Sequence, residues 1–205
     1  MDTIRKIAVL IMVISLSILS GCAGTSVIGY LRPDVTAARI KSMAVIPFDN
    51  ISGHPDAGKK VVNLLLTELV RAELFEIADM GEVESSLRRL RIRTTAEIDL
   101  LKLRDLGEQL NVQVIIVGSI DEYELRQERG GAIPIVAVNA RMLDVKTGDI
   151  LWTISHTHEG DDWETIFGFR RIISLSRLAQ IVVSEIVESL ERELLARDKA
   201  RMERD

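Results

Sequence analysis

The sequence predicts a single α/β domain: a mixed sheet of about five strands with helices packed on it, in two or three layers. Three observations predict it. Val112, Val114, Ile115, Ile116, Val117 and Ile120 form a β-branched run, too short for a spanning helix and too apolar for a surface strand. It reads as a central strand covered on at least one face. Apolar residues recur at helical spacing over 57–72 and again over 172–196. Between them, strand and helix patterns follow in the order β-α-β-α-α-β-β-β-α, which allows parallel pairing through right-handed crossovers and then an antiparallel meander. At 205 residues, 47% hydrophobic and 28% charged, the chain has room for one full core and the composition of a globular protein.

Taken in order, residues 1–21 read as a leader. Arg5 and Lys6 precede the apolar run 7–19, broken only by Ser15 and Ser17. Such a run covers roughly 20 Å as a helix, short of the roughly 30 Å hydrocarbon core, so a signal peptide is predicted and not a membrane anchor. It ends in Leu19-Ser20-Gly21-Cys22. This stretch resembles a bacterial lipobox, which implies that Cys22 receives a diacylglyceryl group, that cleavage falls before it, and that the new amine is acylated, commonly with palmitate. Each buried CH₂ adds about 0.8 kcal/mol, so three chains make a durable anchor. Ala23 stands where, by analogy with enteric lipoproteins, an aspartate would retain the protein in the inner membrane. The expected location is therefore the outer membrane, facing the periplasm.

Cleavage would remove two basic residues and one acidic one from totals of 26 and 31, leaving 24 and 30 and a net charge of −6. No basic patch stands out, so nucleic acid is not an expected partner. Cys22 is the only cysteine, so no intramolecular disulfide can form.

Residues 22–37 read as the lipidated N-terminus and a tether, and 38–196 as the domain. From Cys22 to residue 38 the chain reaches at most about 55 Å. Strand 41–48 carries Met43 and Val45 and is expected to end at Pro47, which cannot donate to a ladder. A loop leads to Asp56 at an N-cap position and a helix over 57–72, with Val61, Val62, Leu65, Leu66 and Leu69 on one face. A short strand, 74–78, alternates Phe75 and Ile77. Helices are predicted over 81–91 and 95–110, the second with a partial capping box at Thr94 or Thr95. The central strand and its polar continuation span 111–124, and a charged loop with Gly130-Gly131 follows over 126–132. Strands 133–143 and 150–157 are joined by the polar stretch 144–149, which has hairpin chemistry. An acidic loop precedes the closing helix 172–196, and 197–205 is a charged tail expected to fray.

Several of these stretches resemble the curli-secretion channel lipoproteins, the CsgG family. They are the lipobox, the strand leading into Phe48-Asp49-Asn50, Leu74-Phe75-Glu76-Ile77, Val83–Leu90, Ile115-Ile116-Val117-Gly118-Ser119-Ile120 and Val145-Lys146-Thr147-Gly148-Asp149-Ile150-Leu151. The resemblance implies a periplasmic α/β domain of a secretion or surface-assembly component. In the curli channel, two long insertions become the transmembrane hairpins of a pore. Here the corresponding intervals, 124–132 and 158–171, are too short for a hairpin of strands needing about nine to eleven residues each. The resemblance therefore supports the periplasmic domain and not the channel.

Candidate chemistry is sparse. Gly53 to Lys60 matches GxxxxGK between a strand and a helix, but Lys60 stands where Ser or Thr would hold Mg²⁺ and Pro55 removes a cradle amide. A helix-start loop is expected, and no nucleotide. His156 and His158 share a strand face and precede Glu159, Asp161 and Asp162, residue types that can hold zinc or calcium. No third histidine is near, so exposed strand-end histidines beside a solvated loop are expected, with no metal or cofactor. Asp121, Glu122 and Glu124 sit where a hydrolase might place an acid–base pair, but Asp121 and Glu122 would point to opposite faces. Ser119 lies in VGSID, which is not a nucleophile elbow. Trp152 reads as core. Trp163, Phe167 and Phe169 with Arg170 and Arg171 have the composition of a partner-binding anchor.

The expected function is thus that of a non-catalytic, outer-membrane-anchored periplasmic lipoprotein, a binding or assembly component of a secretion or envelope-assembly system. Its expected partners are the membrane, through the lipid anchor, and proteins or further copies of itself. A regulator of peptidoglycan synthesis is the alternative, and a metal-dependent envelope hydrolase a third reading.

Overall fold

The computed structural model describes residues 28–128, 131–162 and 171–203. Seven strands form one mixed sheet: β1 (Ile28–Leu31), β2 (Ser42–Val45), β3 (Asp49–Asn50), β4 (Glu76–Ile77), β5 (Val114–Glu128), β6 (Gly131–Asp144) and β7 (Ile150–Glu159). Four α-helices pack on it: α1 (Ala57–Ala72), α2 (Met80–Arg89), α3 (Leu100–Leu110) and α4 (Leu175–Met202). The strand order is β1-β7-β6-β5-β2-β4, with β3 also on β5. β2 pairs parallel with β5 and β4, whereas β5, β6 and β7 form the expected antiparallel meander.

The central strand sits where the β-branched run placed it, and its alternation sorts the core into two halves. Val114, Ile116 and Ile120 face α1 and α4, joining Val61, Leu65, Leu69, Val182 and Ile186 in the larger cluster. Ile115 and Val117 face the other way and join Val83, Leu87, Leu103 and Leu106 from α2 and α3. Helices on both faces make this a three-layer domain, which is why β5 reads as a nearly continuous apolar run.

Local chemistry explains most boundaries. Pro47 interrupts the first parallel strand, so the backbone pairs with β5 as β2, breaks, and pairs again as β3. Asp79 caps α2 by accepting from the Gly81 and Glu82 amides at 2.8 and 3.2 Å. Asp99, not a threonine, caps α3, accepting from the Lys102 amide at 2.8 Å. Residues 95–97 form only a short 3₁₀ turn before it. Asp56 precedes α1 as expected but makes no side-chain cap. The turn between β6 and β7 is closed by Asp144, whose carboxylate accepts from the Lys146 and Thr147 amides, with Gly148 at φ 78°.

Three expectations need correction. Residues assigned to the tether carry β1, which pairs antiparallel with β7, and Leu31 and Val35 are buried. The folded unit thus starts about ten residues before residue 38. The tail expected to fray continues α4 through Met202, and Arg197 donates to the carbonyls of Leu31 and Arg32 at 2.6 and 3.1 Å. Most of the loop expected over 126–132 is strand, since β5 runs to Glu128 and β6 resumes at Gly131.

A charge network secures the segment after β1. Arg32 pairs with Asp34 at 2.6 Å and with Asp149 at 2.9 Å, and Arg39 also reaches Asp34. The hydrogen bond from Arg32 is the main reason that the Asp34 carboxyl is lowered to about 2 from an ordinary 3.8. A depressed carboxyl stabilises the fold above its unfolded pKa, and that contribution is lost as pH falls from 3.8 through about 2. Because Asp34 is half exposed, the effect is small. Asp34→Asn should cost at most about 1 kcal/mol at neutral pH in urea unfolding, and the deficit should vanish near the acid limit.

Candidate functional site

The one convergence of metal-ligating side chains among the described residues lies between β7 and α4. Along β7, Trp152, Ile154, His156 and His158 occupy alternate positions, and all four are buried. Thr153, Ser155 and Thr157 point the other way and are at least partly exposed. The core face of the strand thus begins apolar and ends in two imidazoles. Opposite them, Glu185 leaves α4 between the core residues Val182 and Ile186.

The geometry is tight. Nε2 of His156 and Nε2 of His158 each lie 2.6 Å from the same oxygen, Glu185 Oε2. The two rings meet edge to face with centroids 4.6 Å apart. The other nitrogen of His158, Nδ1, lies 2.6 Å from Asp162 Oδ2, which also accepts the Glu159 amide at 2.9 Å. Burial pushes the His156 imidazole below its ordinary value and the neighbouring His158 adds to this, while Glu185 pulls the other way.

These histidines correct the expectation of exposed strand-end residues: they are only 2% and 1% exposed. The physical reason is that α4 covers β7 to its end, so the buried face does not stop where the apolar residues do. Reading the sequence also missed Glu185 altogether. The signal that could have found it is the demand of two buried imidazoles for a polar partner, met by the carboxylate inside the apolar stripe of the closing helix.

The other candidates are not brought together. Asp121 sits in a β-bulge, accepts from Ser119 Oγ at 2.7 Å, and is hydrogen-bonded by the Asn139 amide. Glu122 instead faces Arg126 at 3.9 Å. In the GxxxxGK stretch, Asn50 occupies the loop: its Nδ2 donates to the His54 carbonyl and its Oδ1 accepts from Ser52. Lys60 lies over the Tyr123 ring at 5.9 Å, and His54 packs edge-on against the same ring. Trp152 is core, as expected. Of the expected partner contact, Trp163, Phe167, Phe169 and Arg170 lie outside the described residues, and so does the expected lipidation residue Cys22. Arg171 is half-buried.

Known structures resemble this fold at low sequence identity. The PelC dodecamer from Paraburkholderia phytofirmans is 18% identical with a TM-score of 0.55, over 81% of this chain and 96% of that one. Lipoprotein GNA1162 from Neisseria meningitidis is 18% identical with a TM-score of 0.56, over 74% and 99%. The hypothetical protein CT253 from Chlamydia trachomatis is 13% identical with a TM-score of 0.50, over 77% and 99%. Among curated proteins, no sequence matches. The profile of the curli production assembly/transport component CsgG matches residues 31–197, from the end of β1 to the last turns of α4, and the chain belongs to that family.

Proposed function

We propose that the protein is a lipid-anchored envelope component that assembles with further copies of itself and serves secretion or surface assembly without catalysing a reaction. The observation that carries this reading is the family match over nearly the whole folded unit, 31–197. The dodecameric state of PelC, which shares the fold, supports a homo-oligomer, and Leu19-Ser20-Gly21-Cys22 supports the anchor at Cys22. Ala23 after the cysteine supports a location on the outer membrane, facing the periplasm. Trp163, Phe167, Phe169, Arg170 and Arg171 are the proposed subunit or partner contact, since aromatic and arginine side chains dominate interface energetics.

The assembly is proposed not to form a pore of its own. The β5–β6 arm is the interval where a channel hairpin would grow. Beyond its bulge, β5 carries Glu122, Glu124, Arg126 and Glu128 at alternate positions and Tyr123, Leu125 and Gln127 between them. Tyr123 is in the core, leaving Leu125 as an exposed apolar residue. A lipid-facing strand needs an apolar outer face about 25 Å tall. Among the described residues, no helix is long and apolar enough to cross a membrane.

The test is made on the full chain produced in a bacterial host that lipidates its exported proteins. Cys22→Ser should leave an unprocessed precursor that takes up no labelled fatty acid. The lipidated protein, purified in detergent, should run as a multi-subunit species by native mass spectrometry and give no stepwise currents in planar bilayers. Equal labelling of the Cys22→Ser protein would refute the anchor, a monomer would refute the assembly, and channel currents would refute the absence of a pore.

A further inference from the structure

We propose that His156, His158 and Glu185 form a binding site for a first-row divalent transition metal, zinc foremost, that fastens the closing helix α4 to the sheet. The donor set comes first. One donor atom from each residue lies within 4.8 Å of the others, and both imidazoles present the same atom, Nε2, to the same carboxylate oxygen. Two imidazoles and one carboxylate suit zinc and its neighbours, whereas calcium and magnesium take oxygen ligands.

The surroundings favour a metal over a plain hydrogen-bonded trio. His158 Nδ1 faces Asp162, whose Oδ2 is itself held by the Glu159 amide. With its proton on Nδ1 and given to Asp162, His158 turns the Nε2 lone pair toward the shared point. This is the carboxylate–histidine–metal arrangement that orients metal ligands. The strand has no packing need for two imidazoles, because apolar side chains continuing the Trp152 and Ile154 stripe would fill the same face without polar atoms to satisfy. Access is one-sided. The histidine side chains are sealed, while those of Glu185 and Asp162 are 31% and 28% exposed. An ion can enter past the carboxylates, and a water can complete the coordination there. Tetrahedral ligands on bonds of about 2.1 Å stand about 3.4 Å apart, so the present 2.6 Å contacts must open by less than about 1 Å. Rotation of the Glu185 side chain, which is 31% exposed, can open both contacts.

The inference is independent of the assembly reading, and its test does not depend on oligomeric state. The full lipidated chain in detergent is stripped with EDTA, desalted, and titrated with zinc chloride by calorimetry, with melting followed in parallel. One zinc per chain should bind and raise Tm. Glu185→Gln keeps the shape of the side chain and should abolish both effects. Asp162→Asn, at a partly exposed position outside the donor set, should weaken binding about 10–100-fold. His54→Gln, remote from the cluster, should change neither. Cobalt(II) in place of zinc should give visible absorption of tetrahedral intensity in the unmodified protein and not in Glu185→Gln. Absence of stoichiometric zinc, equal zinc affinity in the unmodified and Glu185→Gln proteins, or loss of binding in His54→Gln would each overturn the proposal.

Discussion

Ile116→Asp is expected to abolish folding. Ile116 is 1% exposed, lies in the middle of β5 between Val45 on β2 and Met142 on β6, and faces the larger core cluster beneath α1 and α4. A carboxylate there would either ionise without a partner or be buried neutral with unmet hydrogen bonds, at a cost of several kcal/mol. Removal of the isoleucine adds a lost transfer term and a misfitted volume. The sum exceeds about 4 kcal/mol, against a total stability of about 5–15 kcal/mol for an ordinary domain. Ile116→Val, which deletes one methylene, should cost only about 0.5–1.5 kcal/mol and keep the fold. Circular dichroism melts of the two variants beside the parent make the comparison. An Ile116→Asp protein that stays soluble with an unchanged Tm would mean that the sheet is not built around this strand.

Gly118→Val is expected to cost at least about 3 kcal/mol, for a different reason. A Cβ at this position would stand 2.3 Å from the backbone oxygen of Asn139 on β6 and 2.6 and 2.8 Å from the Phe48 ring. Overpacking typically costs about 1–3 kcal/mol where side chains can yield. Here the nearest atom belongs to the neighbouring strand, so relief requires β5 and β6 to part. Asn139 also hydrogen-bonds Asp121 in the bulge, so the displacement would spread to it. Adding Phe48→Leu removes the ring from the clash but leaves the carbonyl in place. The double variant should therefore recover part of the lost stability and not all of it, a coupling that a double-mutant cycle in urea measures. A Gly118→Val protein as stable as the parent would show that the two strands are farther apart than described.

The α/β class is legible because the two periods that define it are strong, whereas the choice between two and three layers is made only by where the helices dock. β5 is apolar at consecutive positions since both of its faces are covered, and α1 shows a clean stripe at Val61, Val62, Leu65 and Leu69. β1 is hard to read for the opposite reason. Four residues, one of them Gly29, carry no period, and their strand character comes from pairing with Ser155 to Trp152 more than a hundred residues away. The extension of β5 to Glu128 is hidden in a similar way, because alternating charges resemble a loop unless the facing strand is known. The candidate site was half legible. Thr153, Ser155 and Thr157 alternate with Trp152, Ile154, His156 and His158, so a strict period of two already places both histidines on the core face. Preference of polar side chains for solvent argued against that, and lost. Glu185, 29 residues after His156, is joined to them only by the way α4 lies across β7.

The docking of β1 onto β7 also fixes how far the domain can wander. If Cys22 is the membrane attachment, as proposed above, only about six residues would separate the acyl chains from Ile28, a leash of about 20 Å when fully drawn out. Such a leash would hold the domain against the bilayer and keep it from reaching across the peptidoglycan, which would count against a regulator of cell-wall synthesis. It would also convert encounters between copies from a search through a volume into a search over a surface. Copies held at one height need only diffuse laterally and turn about a single axis to meet, so their effective concentration is raised with no new contact between them. A weak subunit interface, too feeble to hold the free domain together in dilute solution, can close a ring on the membrane for this reason alone.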